Sequence, residues 1–432
     1  MFIKNNPRII NAWCMYDWAN SVHALVIVSA IFPIYFSNVT KNAATNNAVE
    51  FLGLTVNSSA LFSFAVSAAF LLIAFLSPLL GAIADYSGNK KTFMKFFVYL
   101  GSVSCIGLYF FDINHLTVGI FAFCVSMIGW SGSIVFYNAY LPEIASEDRY
   151  DAVSAKGFTL GYVGSVILLI FNLAMLLKPQ WFGGIDSATA CKTSFLLVGI
   201  WWAGFAQIPF KYLPDSIPKP REANHNGWLF NGFRELRKVF GLLQKLKITK
   251  RFLLAFFFYN MGAQTVMYLG NIFGSNELKL PDQALIVTIL LLQIVAIFGA
   301  YIFSVLSGKV GNTRALMLIV GIWVGVCVAA YFTYTEYQFY VLAAFIGLVM
   351  GGVQSLSRST YAKLLPENTL DTASFFSFYD VCDKISTFIG TTLFGLVTQF
   401  SGMRNSILVL VVVFAVGFVF LTRIPSKQVY RQ

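Results

Sequence analysis

The sequence predicts an all-α membrane protein with twelve transmembrane helices in two pseudo-symmetric six-helix bundles. Three observations lead to this fold class: an apolar composition, a series of apolar stretches of membrane-spanning length, and an internal repeat. Of the 432 residues, 57% are hydrophobic and 11% are charged, whereas a soluble protein carries about 25% charged residues. The mean hydropathy is +0.71. Much of this apolar surface is therefore expected to face lipid.

Twelve stretches have the length of about 20 apolar residues that a membrane-spanning helix needs. We number them spans 1 to 12 and predict them at 12–36, 58–83, 92–111, 116–140, 155–177, 193–212, 252–273, 284–307, 315–334, 338–361, 374–400 and 405–423. With both termini in the cytoplasm, the outer loops hold five of the thirty basic residues, namely Lys41, Lys178, Lys192, Lys279 and Arg404. The positive-inside rule favours this topology. The net charge of +11 therefore indicates membrane topology and not a nucleic-acid partner.

Residues 213–250 separate the two sets of six spans and divide the chain into bundles at 1–212 and 251–432. This linker contains apolar residues at helical spacing, with basic residues between them: Leu229, Phe233, Leu236, Phe240 and Leu243. The pattern predicts an amphipathic helix on the inner leaflet. The alternative is a regulatory or partner-binding helix.

Three pairs of short strings recur in the same order in the two halves. They are "SGNKK" (87–91) and "VGNTR" (310–314), "YLPE" (140–143) and "LLPE" (364–367), and "YDWANSV" and "YNMGAQTV", which begin at Tyr16 and Tyr259. The first two pairs are offset by 223 and 224 residues, and the third by 243. The longer third offset matches the longer loop between spans 1 and 2. Two related halves are a common architecture for secondary transporters, which bind substrate near the repeat interface.

"GAIADYSGNKK", residues 81–91, resembles the loop signature of the major facilitator superfamily. The resemblance implies the major facilitator fold and a conformational latch between the halves, formed by Gly81, Asp85, Gly88, Lys90 and Lys91. Glycines allow close helix approach and a tight turn, and the acid can cap a neighbouring helix end. The second copy has Gly308 in place of the acid, so a latch is expected on one side only.

A narrower resemblance covers most of the chain. "YDWANS", "FPIYF", "SPLLGAIADYSGNKK", "YNAYLPEIA" and "GGVQSLSRSTYAKLLPE" resemble the unidentified-major-facilitator family, which includes the autophagy-related vacuolar effluxers. The resemblance implies export of a small polar metabolite, with amino acids as the leading class, so we predict a secondary active transporter that works by alternating access. The charged residues within the spans make protons one option for its coupling ion. Multidrug efflux is the alternative. Span 4 lacks the Arg, and span 5 the Pro, of the drug-antiporter signatures.

Five charged residues within the spans are candidates for a proton or gate site: Asp17, Arg358, Asp380, Asp383 and Lys384. Charges inside a membrane are costly and mark functional sites by default. Asp17 aligns with Asn260, an amide that cannot ionise, so we expect Asp17 to carry a proton or to pair with Arg358 or Lys384. Asp380 and Lys384 have the i,i+4 spacing of an ion pair. A neutralised structural cluster is the alternative.

Depth along the helices separates these charges from the polar residues near the middle. Asp17, Arg358 and Asp380 lie about six residues from predicted cytoplasmic helix ends, which is about 9 Å at 1.5 Å per residue. That depth favours a gate or proton site. Candidates for the substrate cavity lie closer to the middle: Asn20, Trp130, Gln264, Gln293 and Gln354. Each could instead form helix–helix hydrogen bonds. We expect His23 to be a packing residue, with a direct role in transport as the alternative.

Other classes of protein find little support in the sequence. The six cysteines have no ligand-like spacing and the three histidines lie on separate segments, so no metal site or cofactor is predicted. No HExxH, GxSxG or GxxxxGK[ST] string occurs, which disfavours an enzyme or an ATP-driven pump. A channel would place like residues in rings, whereas this chain carries its own two-fold repeat. We expect a monomer among membrane lipids, in a bacterial plasma membrane rather than a vacuolar one because its tails are short.

Overall fold

The structure is a computed structural model that describes residues 4–41, 48–215, 228–366 and 369–425. Its long helices coincide with the twelve predicted spans. In the first half, span 1 consists of the α-helices Pro7–Val22 and Ile31–Val39 on either side of a π-helix, His23–Ala30. Spans 2 to 6 are Ser58–Ser87, Lys90–Gly107, Leu116–Ala139, Tyr150–Leu177 and Ser187–Tyr212.

The second half repeats this arrangement. Span 7 is Lys247–Ile272, which continues as a π-helix at Phe273–Glu277. Spans 8 to 12 are Asp282–Val310, Asn312–Tyr331, Glu336–Lys363, Thr372–Ser401 and Met403–Thr422. Short helices occupy several connections: Leu108–Phe110, Ile113–His115, Leu141–Ile144, Glu147–Arg149 and Pro179–Phe182.

Within the described ranges, eleven helices are long and apolar enough to cross a membrane. The remaining predicted span, span 11, is the helix Thr372–Ser401, which contains Asp380, Asp383 and Lys384. Large apolar side chains such as Phe75 and Phe298 are exposed on the outside of the bundle, as expected of a surface in contact with lipid. These features confirm the predicted all-α membrane fold.

The turn within "SGNKK" and "VGNTR" contains a glycine with positive φ in both halves. Gly88 and Gly311 have φ angles of 69° and 88°, a region that side chains with a Cβ avoid. Each glycine reverses the chain between two adjacent antiparallel spans. We call the end of the bundle that holds Pro7, Gly88 and Gly311 the inner end, and the opposite end the outer end.

A β-hairpin in the loop between spans 1 and 2 was not predicted. Ala48–Phe51 (β1) pairs antiparallel with Leu54–Asn57 (β2). Leu52 and Gly53 at its turn have φ angles of 51° and 79°, and positive φ at both central residues is what a two-residue hairpin of type I′ requires. Strands of four residues leave too short an alternating pattern to recognise in the sequence.

The linker contains the helix Trp228–Lys245, in agreement with the predicted amphipathic helix. Its predicted apolar face is divided between two environments. Leu243 is buried, as is Val239, which was not part of the predicted face, whereas Phe233 and Phe240 are half exposed. The Phe240 ring reaches Phe378 of span 11, with 5.9 Å between ring centroids. The side chain of Leu229 lies outside what the structure describes.

Candidate functional site

Polar side chains line the surface between the two halves, in clusters that run from the inner end toward the middle. The first cluster surrounds Asp85, near the end of span 2. Its carboxylate accepts hydrogen bonds from the backbone N–H of Ala373 at 3.2 Å and of Ser374 at 2.7 Å, and from the Ser374 hydroxyl at 2.7 Å. A carboxylate of one half thus caps the N-terminus of span 11 in the other, where the helix dipole also favours negative charge.

Close approach of the backbones makes this cap possible. A Cβ atom at Gly81 would lie 2.8 Å from the carbonyl oxygen of Ala373, nearer than real Cβ atoms come to such an atom. Lys90 extends the cluster, since its ammonium donates to the Thr372 hydroxyl at 2.6 Å, contacts Glu143, and lies 3.5 Å from Asp85. Of the five predicted latch residues, Gly81, Asp85 and Lys90 meet span 11 and Gly88 forms the turn.

Lys91 lies apart from this cluster. Its ammonium pairs with Asp215 at the start of the linker, at 2.8 Å. The hydrogen bond and charge of Lys91 hold the pKa of the exposed Asp215 below its usual range. Glu143 and Thr372 take part in the cluster although they were not predicted. The string "YLPE" contained a signal for Glu143, whereas no local pattern pointed to Thr372.

A second cluster corrects the expectation of a latch on one side only. Asp151, at the start of span 5, accepts hydrogen bonds from Ser307 and Asn312, both at 2.8 Å. The Lys363 ammonium lies 2.7 Å from the same carboxylate. At the offset of 223 residues, Asp85 aligns with Gly308, and Asp151 aligns with Ser374. In this second cluster the acid therefore lies at the start of span 5 and not in the loop between spans 8 and 9, so both acids belong to the first half. A comparison of the loops alone could not show this.

The third cluster lies deeper and is centred on Arg358 of span 10. Two nitrogens of its guanidinium, Nη1 and Nη2, each donate to Oδ2 of Asp17 at 3.1 Å. Its Nε donates to the Ser154 hydroxyl at 2.9 Å, and Nη2 also donates to the Ser154 carbonyl at 2.9 Å. Asp17 thus pairs with Arg358 and not with Lys384, which settles the geometric choice left open by the sequence.

Aromatic rings enclose the Arg358 guanidinium. Its central carbon lies 4.1 Å from the ring centroid of Phe158, 4.7 Å from that of Trp13 and 5.4 Å from that of Tyr137. The Tyr137 hydroxyl also donates to Oδ2 of Asp17 at 2.7 Å. A buried ion pair is costly to break, because each partner is left as an uncompensated charge. Arg358 therefore fastens span 10 to the first half.

Two of the three charges for which a depth was predicted, Asp17 and Asp380, lie deeper along their helices than six residues. Asp17 is ten residues from the start of its helix at Pro7, about 15 Å at 1.5 Å per residue. Asp380 is eight and Asp383 eleven residues from the start of span 11 at Thr372, whereas Arg358 is five residues from the end of span 10 at Lys363. The six-residue estimate was too small for Asp17 because its helix continues beyond the apolar stretch.

The fourth cluster lies on span 11, about midway along the interface. The Lys384 ammonium is 2.6 Å from Oδ2 of Asp383 and 3.4 Å from Oδ1 of Asp380. The predicted i,i+4 pair is thus present, with a closer partner beside it. Asn260 and Gln264 of span 7 donate to Oδ1 of Asp383 at 2.8 and 3.2 Å.

Comparisons with known proteins identify the family of this chain. The family model described as "Vacuole effluxer Atg22 like" matches residues 5–432. The chain belongs to the Atg22-like family. An MFS-type transporter of Bacillus subtilis, YxiO, is 33% identical to this Atg22-like chain over 98% of the chain and 96% of the relative. Autophagy-related protein 22-2 of Neosartorya fischeri is 23% identical over 83% of the chain and 72% of the relative.

Solved structures show the same fold at low sequence identity. The proton:xylose symporter XylE matches with a TM-score of 0.72 at 13% identity, over 97% of this chain and 95% of that one. A bacterial homologue of the iron transporter ferroportin, in an outward-facing state, matches with a TM-score of 0.69 at 11% identity, over 97% and 99%. These solved structures show the major facilitator fold. The family match and the MFS-type relative show that this Atg22-like protein is a membrane transporter and not an enzyme.

The structure brings together some of the substrate-cavity candidates of this Atg22-like transporter. Gln264 lies with Asp383, as described above, and Trp130 lies against Lys384, with 5.4 Å from the ammonium to the ring centroid. Gln354 accepts a hydrogen bond from Tyr162 across the interface, at 2.6 Å. In the part of the chain that the structure describes, the buried Nδ2 of Asn20 and Oε1 of Gln293 have no hydrogen-bond partner.

His23 belongs to the interior of the first half of the Atg22-like bundle. Its Nε2 lies 3.1 Å from the Ser126 hydroxyl, and its ring stacks on Trp130 with 5.6 Å between centroids. These contacts are those of a packing residue. Within the described ranges, no group of three or more His, Cys, Asp or Glu side chains could hold a metal ion.

Proposed function

We propose that this transporter is a secondary carrier that exports a small polar metabolite, with amino acids as the leading class, by alternating access. The observation that carries the proposal is the ion pair between Asp17 and Arg358, which joins the two halves inside the bundle at 3.1 Å. Access to the middle from the inner end requires the halves to separate there, so this pair must open and close in each cycle. Asp85 and Asp151 bind the halves at two further points in the same conformation.

The chemistry of the span 11 cluster supports an amino acid as substrate. A zwitterion needs a carboxylate and an ammonium as partners, and Asp383 and Lys384 provide both beside two neutral amides, Asn260 and Gln264. Its position midway along the interface suits a substrate site of a two-repeat transporter. We assign Asp17 and Arg358 to the gate, with protons as the coupling ion.

For topology, we propose that the inner end faces the cytoplasm and that the protein acts as a monomer in a bacterial plasma membrane. The distribution of basic residues supports this orientation. Trp130, Gln264, Gln293, Gln354 and Asn20 are then proposed to line or support the cavity, and Asp85 with Lys90 to latch its cytoplasmic side.

Transport by purified protein in liposomes tests the function. Liposomes are loaded with a mixture of labelled amino acids, sugars and a cationic dye. Efflux is followed with and without a proton gradient directed into the liposomes. We expect saturable efflux of one or more amino acids that the gradient accelerates. Efflux of dye alone would instead support multidrug export, and flux that does not saturate with substrate would indicate a channel.

A further inference from the structure

The ammonium of Lys384 occupies a site built for a cation from both halves of the molecule. Two carboxylates of its own helix, Asp383 and Asp380, lie at 2.6 and 3.4 Å. Two rings of the first half face it, with 5.5 Å to the centroid of Phe70 and 5.4 Å to that of Trp130. Carboxylates together with aromatic faces are the chemistry by which proteins recognise ammonium groups. The Lys384 side chain itself is 5% exposed.

This site contains two negatively charged groups, Asp380 and Asp383, and one positively charged group, Lys384. Within the described ranges, the ion pairs of Asp380 and Asp383 come from Lys384 alone. The remaining hydrogen bonds to the two carboxylates come from neutral donors. Ser77 donates to Oδ2 of Asp380 at 3.2 Å, and the amides of Asn260 and Gln264 donate to Asp383. Buried charges are stable when they are paired. A second cation would therefore neutralise the remaining negative charge of the site.

We infer that Asp380, Asp383 and the rings of Phe70 and Trp130 form the binding site for the ammonium group of a substrate, and that Lys384 is the resident ammonium that the substrate displaces. The inference rests on the proposed transport function and assigns the substrate class as primary amines, including amino acids. Lysine suits the role of a displaceable occupant, since its charge is compact and its four-carbon chain is flexible.

Displacement of Lys384 explains why the site contains charges of both signs. Once its ammonium leaves the carboxylates, it can pair with a carboxylate of the incoming molecule. A zwitterion would then satisfy both groups, whereas a simple amine would satisfy only Asp380 and Asp383. Because the rings belong to spans 2 and 4 and the acids to span 11, the site is complete only when the halves are together at this depth. Binding is therefore linked to the conformation of the carrier.

Thermal-shift titration of the purified full chain in detergent tests the inference, with butylammonium chloride as the probe. Sodium chloride and 1-butanol, at the same concentrations, control for the counter-ion and the alkyl chain. Lys384→Met keeps the length of the side chain and removes the competing ammonium. We expect the half-saturating concentration of butylammonium to fall at least tenfold in this variant, with no stabilisation by 1-butanol. Lys156→Met, at an exposed lysine that donates to Asn11, is the matched control and should behave as wild type.

Asp383→Asn provides a second variant in which Lys384 is retained. We expect it to weaken butylammonium binding at least tenfold, which keeps the inference testable if Lys384→Met fails to fold. Equal responses of wild type and Lys384→Met, or equal stabilisation by 1-butanol, would overturn it. Failure here is distinct from failure of the proposed function: amino-acid efflux without amine binding at this site refutes only the inference. Amine binding without any saturable efflux refutes only the function.

Discussion

At the scale of single residues, the buried Asp17 is explained by its partner. A carboxylate in this position would be costly alone, but Arg358 places two donors at 3.1 Å from it and Tyr137 donates a third hydrogen bond at 2.7 Å. The pseudo-symmetric residue, Asn260, faces Asp383 instead. An amide suffices there because it donates to a carboxylate, whereas Asp17 must balance a guanidinium.

Asp17→Asn is expected to abolish transport driven by a pH gradient and also to slow exchange without a gradient. The change leaves Arg358 as an uncompensated buried charge, which costs about 3–5 kcal/mol when one partner of such a pair is removed. Efflux and counterflow in liposomes measure the two activities. Asp148→Asn, at an exposed acid of the inner end, is the control and should keep both.

Two other outcomes of that experiment have clear meanings. Loss of gradient-driven transport with normal exchange would assign Asp17 a proton-carrying role in place of a gate role. Normal transport in both assays would show that the acid is a structural residue satisfied by its neighbours.

Charge reversal tests whether Asp380 and Lys384 act as a pair. Each single reversal places like charges within about 4 Å and should reduce protein abundance and transport. The double variant Asp380→Lys with Lys384→Asp should recover part of the loss, since contacting residues have non-additive effects. Recovery should be incomplete because Asp383 lies closer to Lys384, at 2.6 Å. Purely additive damage would show that the two residues do not interact.

At the scale of elements, helix ends connect the two halves. Asp85 of span 2 caps the N-terminus of span 11, so one helix supplies the terminal hydrogen-bond acceptor of another. A cap of this kind contributes about 1 kcal/mol. That value is small against the stability of the fold and large enough to change the balance between two conformations several-fold.

Asp85→Asn should therefore impair transport while membrane insertion and abundance stay near wild type. Efflux at matched expression is the measurement. Asp112→Asn is the matched control, since Asp112 caps the short helix Ile113–His115 within the first half. Wild-type efflux by Asp85→Asn would exclude a latch at this position.

At the scale of the whole molecule, the two halves close at the inner end through two acids of the first half, each of which accepts hydrogen bonds from the second half. Asp85 reaches span 11 from the first half, and Asp151 receives Ser307, Asn312 and Lys363 from the second. Both contacts break if the halves separate as rigid bodies. The two corners should therefore open together.

Hydrogen–deuterium exchange measured by mass spectrometry tests this coupling. Asp151→Asn should accelerate exchange at its own corner and also at the amides of Ala373 and Ser374, which it does not touch. Asp148→Asn again serves as the control. Acceleration confined to the start of span 5 would show that the corners open independently, and would contradict a single rigid-body movement.

The apolar pattern predicted most of the helices, because a chain in lipid must form long helices in which the backbone N–H and C=O groups are hydrogen-bonded to each other. The sequence also located the turn glycines, whose spacing repeats in both halves, and it located Asp85 and Lys90 through the resemblance of their loop to the major facilitator signature. It did not reveal the hairpin Ala48–Phe51 and Leu54–Asn57, whose strands are too short to show a period. Nor did it reveal the π-helix at His23–Ala30, because the residues of this segment are those of an ordinary membrane-spanning helix.

Only the tertiary structure decided which buried charged residues form ion pairs with each other. The sequence left both Arg358 and Lys384 open as partners of Asp17, since both are basic residues within later spans. Helix packing brings Arg358 to Asp17 and leaves Lys384 to Asp383 and the rings of the other half. Local spacing records which residues share a helix face, whereas pairing across two bundles depends on how the helices are rotated and how closely they approach.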